Sequence, residues 1–516
     1  MDYSKLSPDK FSPGRSKFLV ALAAFSLLGL LVYYRALSLG FLADDTWILY
    51  FCQTNWLIPS PECPHYPPLH YALYYLLYKA FKLHPLPYHL LHLGLVFLNA
   101  ALVKTLAVDL EFEPWQCWTA GLLVLINSVA AEIYVWFAVA SPIMMVTALV
   151  FGLICLLRFR LNLAWSWGAG YLVMVFLAAS FDGKGMILPL LGIMLAWGWY
   201  NQESWRPRGG VGIHVGAFGI IGGLALVRLL WHIKSATIHL PLREKWHTFT
   251  TTLTTTLFHG VDNHLWGWLQ EWPKVWQYVP DALKLLLVAV LIWGWLRSRG
   301  LERRRFITLV LLWIATCLPH TLMANLQFRY FYLPGIFAAL IIVFLLELFR
   351  SRLANGKGYL RVGLVVLVIL VMDLRGLHLA LNSFQEASRI YDAGIQEIQK
   401  KVPVMAPGTH VLLIDFPMFI YSQQNAGVPR PGHIPYVYVF PQSMPYHLRL
   451  LYKQNDIATT FVKLAPDSLE NPRPLGNAVT LSQVRSLLTH PHTLAFRYLP
   501  GKVPKFVQIT RKGVSP

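Results

Sequence analysis

The sequence predicts a polytopic α-helical membrane protein of about 11 transmembrane helices, followed by a small C-terminal α/β domain outside the membrane. Three observations carry that expectation. The 516 residues are 56% hydrophobic and only 13% charged, with a mean hydropathy of +0.48. Apolar runs of about 17 to 22 residues recur between residues 17 and 380, each long enough to cross a hydrocarbon core. Lys and Arg gather in the short connections between these runs, on one side only, as cytoplasmic loops do.

The elements follow in order. Residues 1–16 carry Lys5, Lys10 and Arg15 and read as a cytoplasmic tail. Span 1 (about 17–39) is too long for a signal-peptide core and leads into "GFLADDTWILYF" rather than a small-residue cleavage site, so it reads as a retained helix. Residues 40–85 form a long, proline-rich outer loop. Its second part, "HYALYYLLYKAF" (70–81), is short, apolar and aromatic, which fits an amphipathic helix lying along the interface. Span 2 (about 87–107) returns inward. Spans 3 (about 116–135) and 4 (about 141–157) make an outward hairpin ending at Arg158 and Arg160.

Span 5 (about 163–180), the turn "FDGKG" (181–185) and span 6 (about 186–200) make the next hairpin. Span 7 (about 211–231) opens a second long outer loop, 232–280, and span 8 (about 281–296) closes it at the basic run "RSRGLERRR" (297–305). Spans 9 (about 306–323) and 10 (about 330–349) form a last hairpin, and span 11 (about 360–380) exports the remainder. Residues 381–516 change in composition. There "THVLLIDF" (409–416), "YVYVF" (436–440) and "KFVQIT" (505–510) read as strands, with helical patterns near 384–401 and 480–489 to pack on them.

The formal charge of +19 does not point to nucleic acid, because no basic motif with interleaved aromatics accompanies it. Cys52 and Cys63 share the first outer loop and are candidates for a disulfide in an oxidising compartment. Cys117, Cys155 and Cys317 lie in or beside apolar runs and read as packing residues.

This threading puts the unusual polar residues on the outer side. Asp44 and Asp45 follow span 1, Glu132 is near the outer end of span 3, Asp182 and Lys184 occupy the span 5–6 turn, and Arg329 precedes span 10. Ionisable groups at a membrane boundary are costly to hold, and their clustering points to function. Taken singly, each has a plain reading as a solvated or snorkelling helix end. Carboxylates facing cations at that surface fit the transfer of a sugar from a polyprenyl-phosphate carrier. The attacking hydroxyl needs a carboxylate base. The departing lipid phosphate is already a stable anion, so it needs cations to receive it and no general acid. A single in-line displacement inverts the sugar carbon.

In these features the sequence resembles the GT-C superfamily of multi-pass glycosyltransferases, near its protein O-mannosyltransferase and aminoarabinose transferase branch and bacterial relatives. The resemblance covers most of residues 17–350 in pattern. It is carried by "DD" at 44–45, the stretch 66–103 that begins "YPPLHYALYYLL", "INSVAAEIYVWFAVAS" (126–141), "FDGKGMILPL" (181–190) and "FRYFYLP" (328–334). It implies that Asp44 is the catalytic base and that Asp45 orients the base or the acceptor. It implies carrier-phosphate binding by Arg329 and Lys184, and a cavity lined by Tyr330 and Tyr332. Contacts to sugar or acceptor would come from Glu132, with Asp182, His65 and His70 nearby. It also implies a GT-C-like transmembrane domain over 17–380 and a bacterial cytoplasmic membrane with the site on the periplasmic side. Residues 381–516, by contrast, match no domain of the family and are placed outside the membrane, as an extracytoplasmic domain, by the odd number of spans. The partners implied are a polyprenyl-phosphate-linked sugar, an acceptor glycan, lipid or protein, and membrane lipids. No cofactor is implied. A divalent metal serves some members of the superfamily but generally not this branch. Two departures stand out: relatives often write Ser-Lys-Glu where this chain has Gly183-Lys184-Gly185, and the proline that often precedes the span 3 glutamate is missing.

Weaker signals remain. His89 and His92 lie three apart on one helical face, a spacing open to metal binding but better read as hydrogen bonding to headgroups or loops. "HLWGWLQEWPKVWQY" (264–278) reads as an interface anchor or a sugar-stacking lid. "TFTTTLTTTLF" (248–258) reads as a helical loop segment. A transporter or flippase for a lipid-linked or anionic solute is the main alternative function, although the paired inverted repeats it calls for are not seen. A non-catalytic assembly partner is the third.

Overall fold

The computed structural model of the chain describes residues 15–42, 44–54, 68–162, 164–199, 207–230, 242–258, 279–319, 328–352, 357–421, 436–438, 443–464, 473–474, 477–499, 505–510 and 513–515. Among them the helices are α1 (Arg15–Tyr33), α2 (Asp45–Thr54), α3 (Pro68–Phe81), α4 (Pro85–Asp109), α5 (Pro114–Leu125), α6 (Ala131–Val135), α7 (Ala140–Asn162), α8 (Trp165–Phe181), α9 (Leu188–Trp199), α10 (Pro207–Leu230) and α11 (Leu242–Leu257). They continue with α12 (Val279–Arg297), α13 (Gly300–Cys317), α14 (Tyr332–Arg350), α15 (Lys357–Lys401), α16 (Met444–Tyr452) and α17 (Leu481–Leu487).

Six helices among the described residues are long and apolar enough to cross a membrane: Ser16–Ser38, Pro85–Asp109, Pro114–Val135, Phe137–Leu161, Tyr332–Arg350 and Gly358–Lys401. The shorter apolar helices Trp165–Phe181, Gly183–Trp199 and Val211–Leu226 accompany them. The protein is a polytopic α-helical membrane protein. Helices α4, α5, α7 and α14 form its buried centre, while α1, α12 and the first half of α15 expose rows of Leu, Val and Ile. In water such rows would invite association; in a bilayer they face lipid.

The basic connections meet at one end of the bundle. Arg158 pairs with Asp109 at 2.9 Å, Arg305 pairs with Glu111 at 2.5 Å, and Trp199 donates its indole N–H to the Leu110 carbonyl. The guanidiniums of Arg304 and Arg305 also lie over the rings of Trp197 and Trp199. Charge asymmetry in the sequence had grouped these same segments.

Two elements differ from the sequence expectation. Span 3, expected as one helix over 116–135, breaks after Leu125 into a 3-10 turn (Ser128–Ala130) and the short α6. The Asn127 side chain accepts the Val129 N–H, offering the backbone a local bond in place of the helical one. The patterns read as span 11 and as a separate helix near 384–401 are one helix. At about 1.5 Å per residue its 45 residues extend some 68 Å, against about 30 Å of hydrocarbon. The boundary expected at residue 381 therefore falls inside α15, which is longer than a bilayer needs, so that its second half projects from the membrane.

That second half carries the C-terminal domain. The strands are β1 (His410–Ile414), β2 (Pro417–Tyr421), β3 (Tyr436–Tyr438), β4 (Ala458–Lys463), β5 (Arg473–Pro474), β6 (Asn477–Ala478), β7 (Thr493–Leu499), β8 (Lys505–Thr510) and β9 (Gly513–Ser515). The larger sheet runs β6-β4-β1-β7-β8-β9, with β1 parallel to both β4 and β7, and β7, β8 and β9 antiparallel. A second sheet runs β3-β2-β5. The three strands expected from sequence are β1, β3 and β8. Helix α15 packs on β8, and α16 reaches back to α2, where Tyr446 stacks against Tyr50 and Phe51.

Candidate active site

The chain leaves α1 through a 3-10 turn (Tyr34–Ser38) and enters α2 at the aspartate pair. The two aspartates have unlike surroundings. Asp45 is fully buried and both its oxygens are committed. Oδ2 accepts the Leu42 N–H at 2.8 Å, closing the turn that starts α2, and Oδ1 accepts the Ala138 N–H at 2.6 Å. Burial pushes its carboxyl well above the ordinary range, the two amide bonds oppose that shift, and the neighbouring Asp44 adds to it. Asp44 is only partly buried, and its own carbonyl accepts the Ile48 N–H as α2 begins.

Ala138 lies in the 3-10 turn Phe137–Val139 between α6 and α7. From there an aromatic stack leads toward α3. The Phe137 ring stacks on Tyr74 of α3 at 4.2 Å, and Tyr74 stacks on His70 at 4.2 Å. The Tyr74 hydroxyl also donates to the Phe137 carbonyl. The segment expected at the interface is thus helical, and its aromatic face packs against the bundle. His70 is buried, and its imidazole is pushed down to about 3 by that burial, with the charge of Asp182 opposing the shift.

Asp182 caps the turn between α8 and α9 (Gly183–Ile187), its Oδ1 accepting the Lys184 N–H at 3.0 Å. The Lys184 ammonium lies 3.8 Å from the Asp182 carboxylate and 4.6 Å from the centre of the Tyr330 ring. Tyr330 belongs to the 3-10 turn Phe328–Phe331, which also carries Arg329 and packs against α6, the helix that bears Glu132. Glu132 is 6% exposed. Gly185 explains the departure from Ser-Lys-Glu. A Cβ there would sit 2.2 Å from the backbone carbonyl oxygen of Ala178, so the turn has no room for a glutamate.

Five of the residues singled out in the sequence fall in two groups. Asp45 and His70 are linked through Ala138, Phe137 and Tyr74, and Asp182, Lys184 and Tyr330 are in direct contact. Helix α3 of the first group packs on α8, which leads into the second. Tyr332 is buried at the start of α14, where its hydroxyl accepts from the Asn99 amide at 3.2 Å. His65, Cys63, the side chain of Arg329 and residues 264–278 lie outside the described residues. His89 and His92 turn inward, with Nε2 atoms at the carbonyls of Gly40 and Ile133 respectively. No group of three or more His, Cys, Asp or Glu is arranged to hold a metal among the described residues. The threonines of 248–258 lie in α11, where Thr256 accepts the Trp313 indole N–H.

Sequence reasoning passed over Asp373. It is completely buried on α15 and accepts both the backbone N–H and the hydroxyl of Ser128, at 3.0 and 2.7 Å. A carboxylate inside the run "LVILVMDLRG" is the kind of intramembrane charge that marks a role by default.

No protein-family model matches the chain, and no curated protein matches it. Among solved structures it is similar to ArnT from Cupriavidus metallidurans bound to undecaprenyl phosphate, at 12% identity and a TM-score of 0.45, covering 94% of each chain. It is also similar to the Archaeoglobus fulgidus oligosaccharyltransferase in the apo form, at 12% identity and a TM-score of 0.49, covering 86% of this chain and 65% of that one. A third likeness is to the oligosaccharyltransferase AglB from Archaeoglobus fulgidus in complex with an inhibitory peptide and a dolichol-phosphate. There the identity is 14% and the TM-score 0.44, covering 84% and 63% of the two chains. The chain spans just under two thirds of the two archaeal structures.

Proposed function

We propose that this chain is an inverting glycosyltransferase that moves a sugar from a polyprenyl-phosphate carrier to an acceptor hydroxyl at the outer face of a bacterial cytoplasmic membrane. The observation that carries the reading is the division of labour in the aspartate pair. Asp45 spends both oxygens on backbone amides and is fully buried, which makes it a brace for the turn, and the partly buried Asp44 beside it is the carboxylate assigned here as base. Across the aromatic stack lies a turn system bearing Lys184, Tyr330 and Arg329.

In this reaction Asp44 takes the acceptor hydroxyl proton as the oxygen attacks the anomeric carbon. The bond from that carbon to the carrier phosphate breaks, its electrons leave with the phosphate, and the configuration inverts. Arg329 and Lys184 neutralise the departing phosphate, Arg329 through a planar fork and Lys184 as a point charge. Glu132, Asp182, His65 and His70 border the sugar and acceptor. Tyr330 and Tyr332 line the lipid or sugar cavity. The acceptor is a glycan, lipid or protein hydroxyl, and residues 381–516 face the same outer compartment.

Mass analysis of membrane glycolipids and surface glycans from a deletion strain tests the reading. One sugar residue is expected to disappear from an envelope component and to return with the wild-type gene. It should not return with Asp44→Asn combined with Asp45→Asn. Full restoration by a correctly folded double variant would remove the catalytic assignment.

A further inference from the structure

Helix α15 touches both carboxylate-bearing segments at once. Near its middle, Asp373 holds Ser128, four residues before Glu132. Fifteen residues further out, about 22 Å along the helix axis, it meets the segment that leads to Asp44. There the Gly40 N–H donates to the Ser388 hydroxyl at 2.8 Å, and that hydroxyl donates onward to Asp392 Oδ2 at 3.1 Å. Ser388 is 4% exposed. The Asp392 carboxylate packs so closely on Gly40 that a Cβ at that position would lie 2.4 Å from Oδ2. On the other side of the peptide, His89 Nε2 lies 3.4 Å from the Gly40 carbonyl oxygen. Arg35 reaches Asn382 at 3.0 Å before this point, and the Thr46 hydroxyl donates to the Ser443 carbonyl after it.

Gly40 is thus gripped on its N–H, its Cα and its carbonyl, with only three residues between it and Asp44. We propose that Ser388 and Asp392 are positioning residues: they clamp Gly40 to α15 and thereby fix the loop that presents Asp44, with α15 serving as a strut shared by the loop and the Glu132 segment. A bonded residue so near the base leaves the carboxylate little freedom to swing, and small displacements of a catalytic group are costly to rate. The link to catalysis rests on the proposed transferase reading; the clamp itself does not. It also gives the C-terminal domain a mechanical role, because the sheet packs on the same helix.

The clamp lines an open cavity of about 360 Å³ bordered by Ser38, Gln385, Arg389 and Gln396, so solvent reaches the Gly40 amide once it is released. Hydrogen exchange followed by mass spectrometry on the purified full chain in detergent tests it without any substrate. In Ser388→Ala and Asp392→Ala, peptides covering 39–46 are expected to exchange at least ten-fold faster, while peptides from β1 and β7 stay unchanged. Ser388→Thr, which keeps the hydroxyl, should restore slow exchange. Gly40→Ala, which attacks the same contact from the other side, should match Ser388→Ala. Unchanged exchange over 39–46 in both alanine variants would overturn the clamp. Faster exchange with unchanged sugar transfer from undecaprenyl-phosphate-linked sugars would overturn its positioning role. With transfer lowered, kcat should fall while KM for the carrier holds within about two-fold. An inactive wild type whose exchange still responds would instead remove the transferase reading and leave the clamp standing.

Discussion

The acidic and basic sides of the proposed site are held by different means. On the acidic side the anchors are backbone hydrogen bonds: Asp45 to the amides of Leu42 and Ala138, and Gly40 to Ser388. On the basic side the turn is capped in the same way, by the Lys184 N–H on Asp182, but the cation itself is placed by side-chain contacts: an ion pair at 3.8 Å and an ammonium over a ring at 4.6 Å. The difference follows from what each side has to do. A base meets its proton through a hydrogen bond that weakens steeply with distance and angle, so its loop has to be fixed. A cation meets a phosphate mainly through charge, which falls only as the inverse of distance, so a long side chain held loosely still serves.

That contrast can be broken in order of expected effect. Asp44→Asn removes the base and leaves the bracket intact; turnover should fall roughly 10²- to 10⁴-fold with an unchanged melting temperature, in a transfer assay paired with thermal unfolding. Arg329→Gln and Lys184→Met should act through the carrier. The loss for a donor to a developing anion is about 10²- to 10³-fold at most, and Lys184 should cost less because Asp182 already shares its charge; kinetics against carrier concentration would show it. Asp45→Asn should behave differently from all three. It turns one acceptor oxygen into a donor facing a backbone N–H, so stability should drop by about 1–3 kcal/mol, and activity should fall with it. A variant with normal stability would undo the contrast between the two aspartates.

The smallest effect is a pH dependence. Burial pushes His70 down to about 3 and His447 down to about 4, from an ordinary 6.5. The unfolded chain therefore takes up protons first as the pH falls. Their contribution is complete above about 6.5 and is lost progressively toward the folded values. The melting temperature should decline over that window. His70→Phe, which keeps a ring against Tyr74, should flatten the slope by up to about 1.4 kcal/mol per pH unit. An unaltered slope would place the acid sensitivity elsewhere.

Much of the bundle is legible in the sequence because lipid imposes long apolar runs and basic residues mark one end of them. The break after Leu125 was not, because it depends on one asparagine using its side chain locally, and Asn127 carries no apolar signal. The continuity of α15 was hidden for a related reason. Beyond residue 380 its composition changes from uniformly apolar to amphipathic, with Ala387, Ile390, Tyr391, Ile395 and Ile398 buried. That change marks an exit from lipid and does not mark a helix end. In the site, the aspartate pair and the turn at 182–184 stand out as costly charges. Which aspartate is the bracket depends on the amide of Ala138, 93 residues away, and pairing with a backbone amide leaves no trace in side-chain identity. Ser388 is invisible for the same reason, since its partner is the backbone of Gly40.

The most direct test of the central claim is sugar transfer by purified protein in vesicles loaded with undecaprenyl-phosphate-linked hexoses or pentoses, comparing wild type with Asp44→Asn. The account predicts transfer with inversion by wild type and at least a hundred-fold loss in the variant, with hydrogen exchange over residues 39–46 unchanged. Transfer at the wild-type rate by the folded Asp44→Asn protein would contradict it.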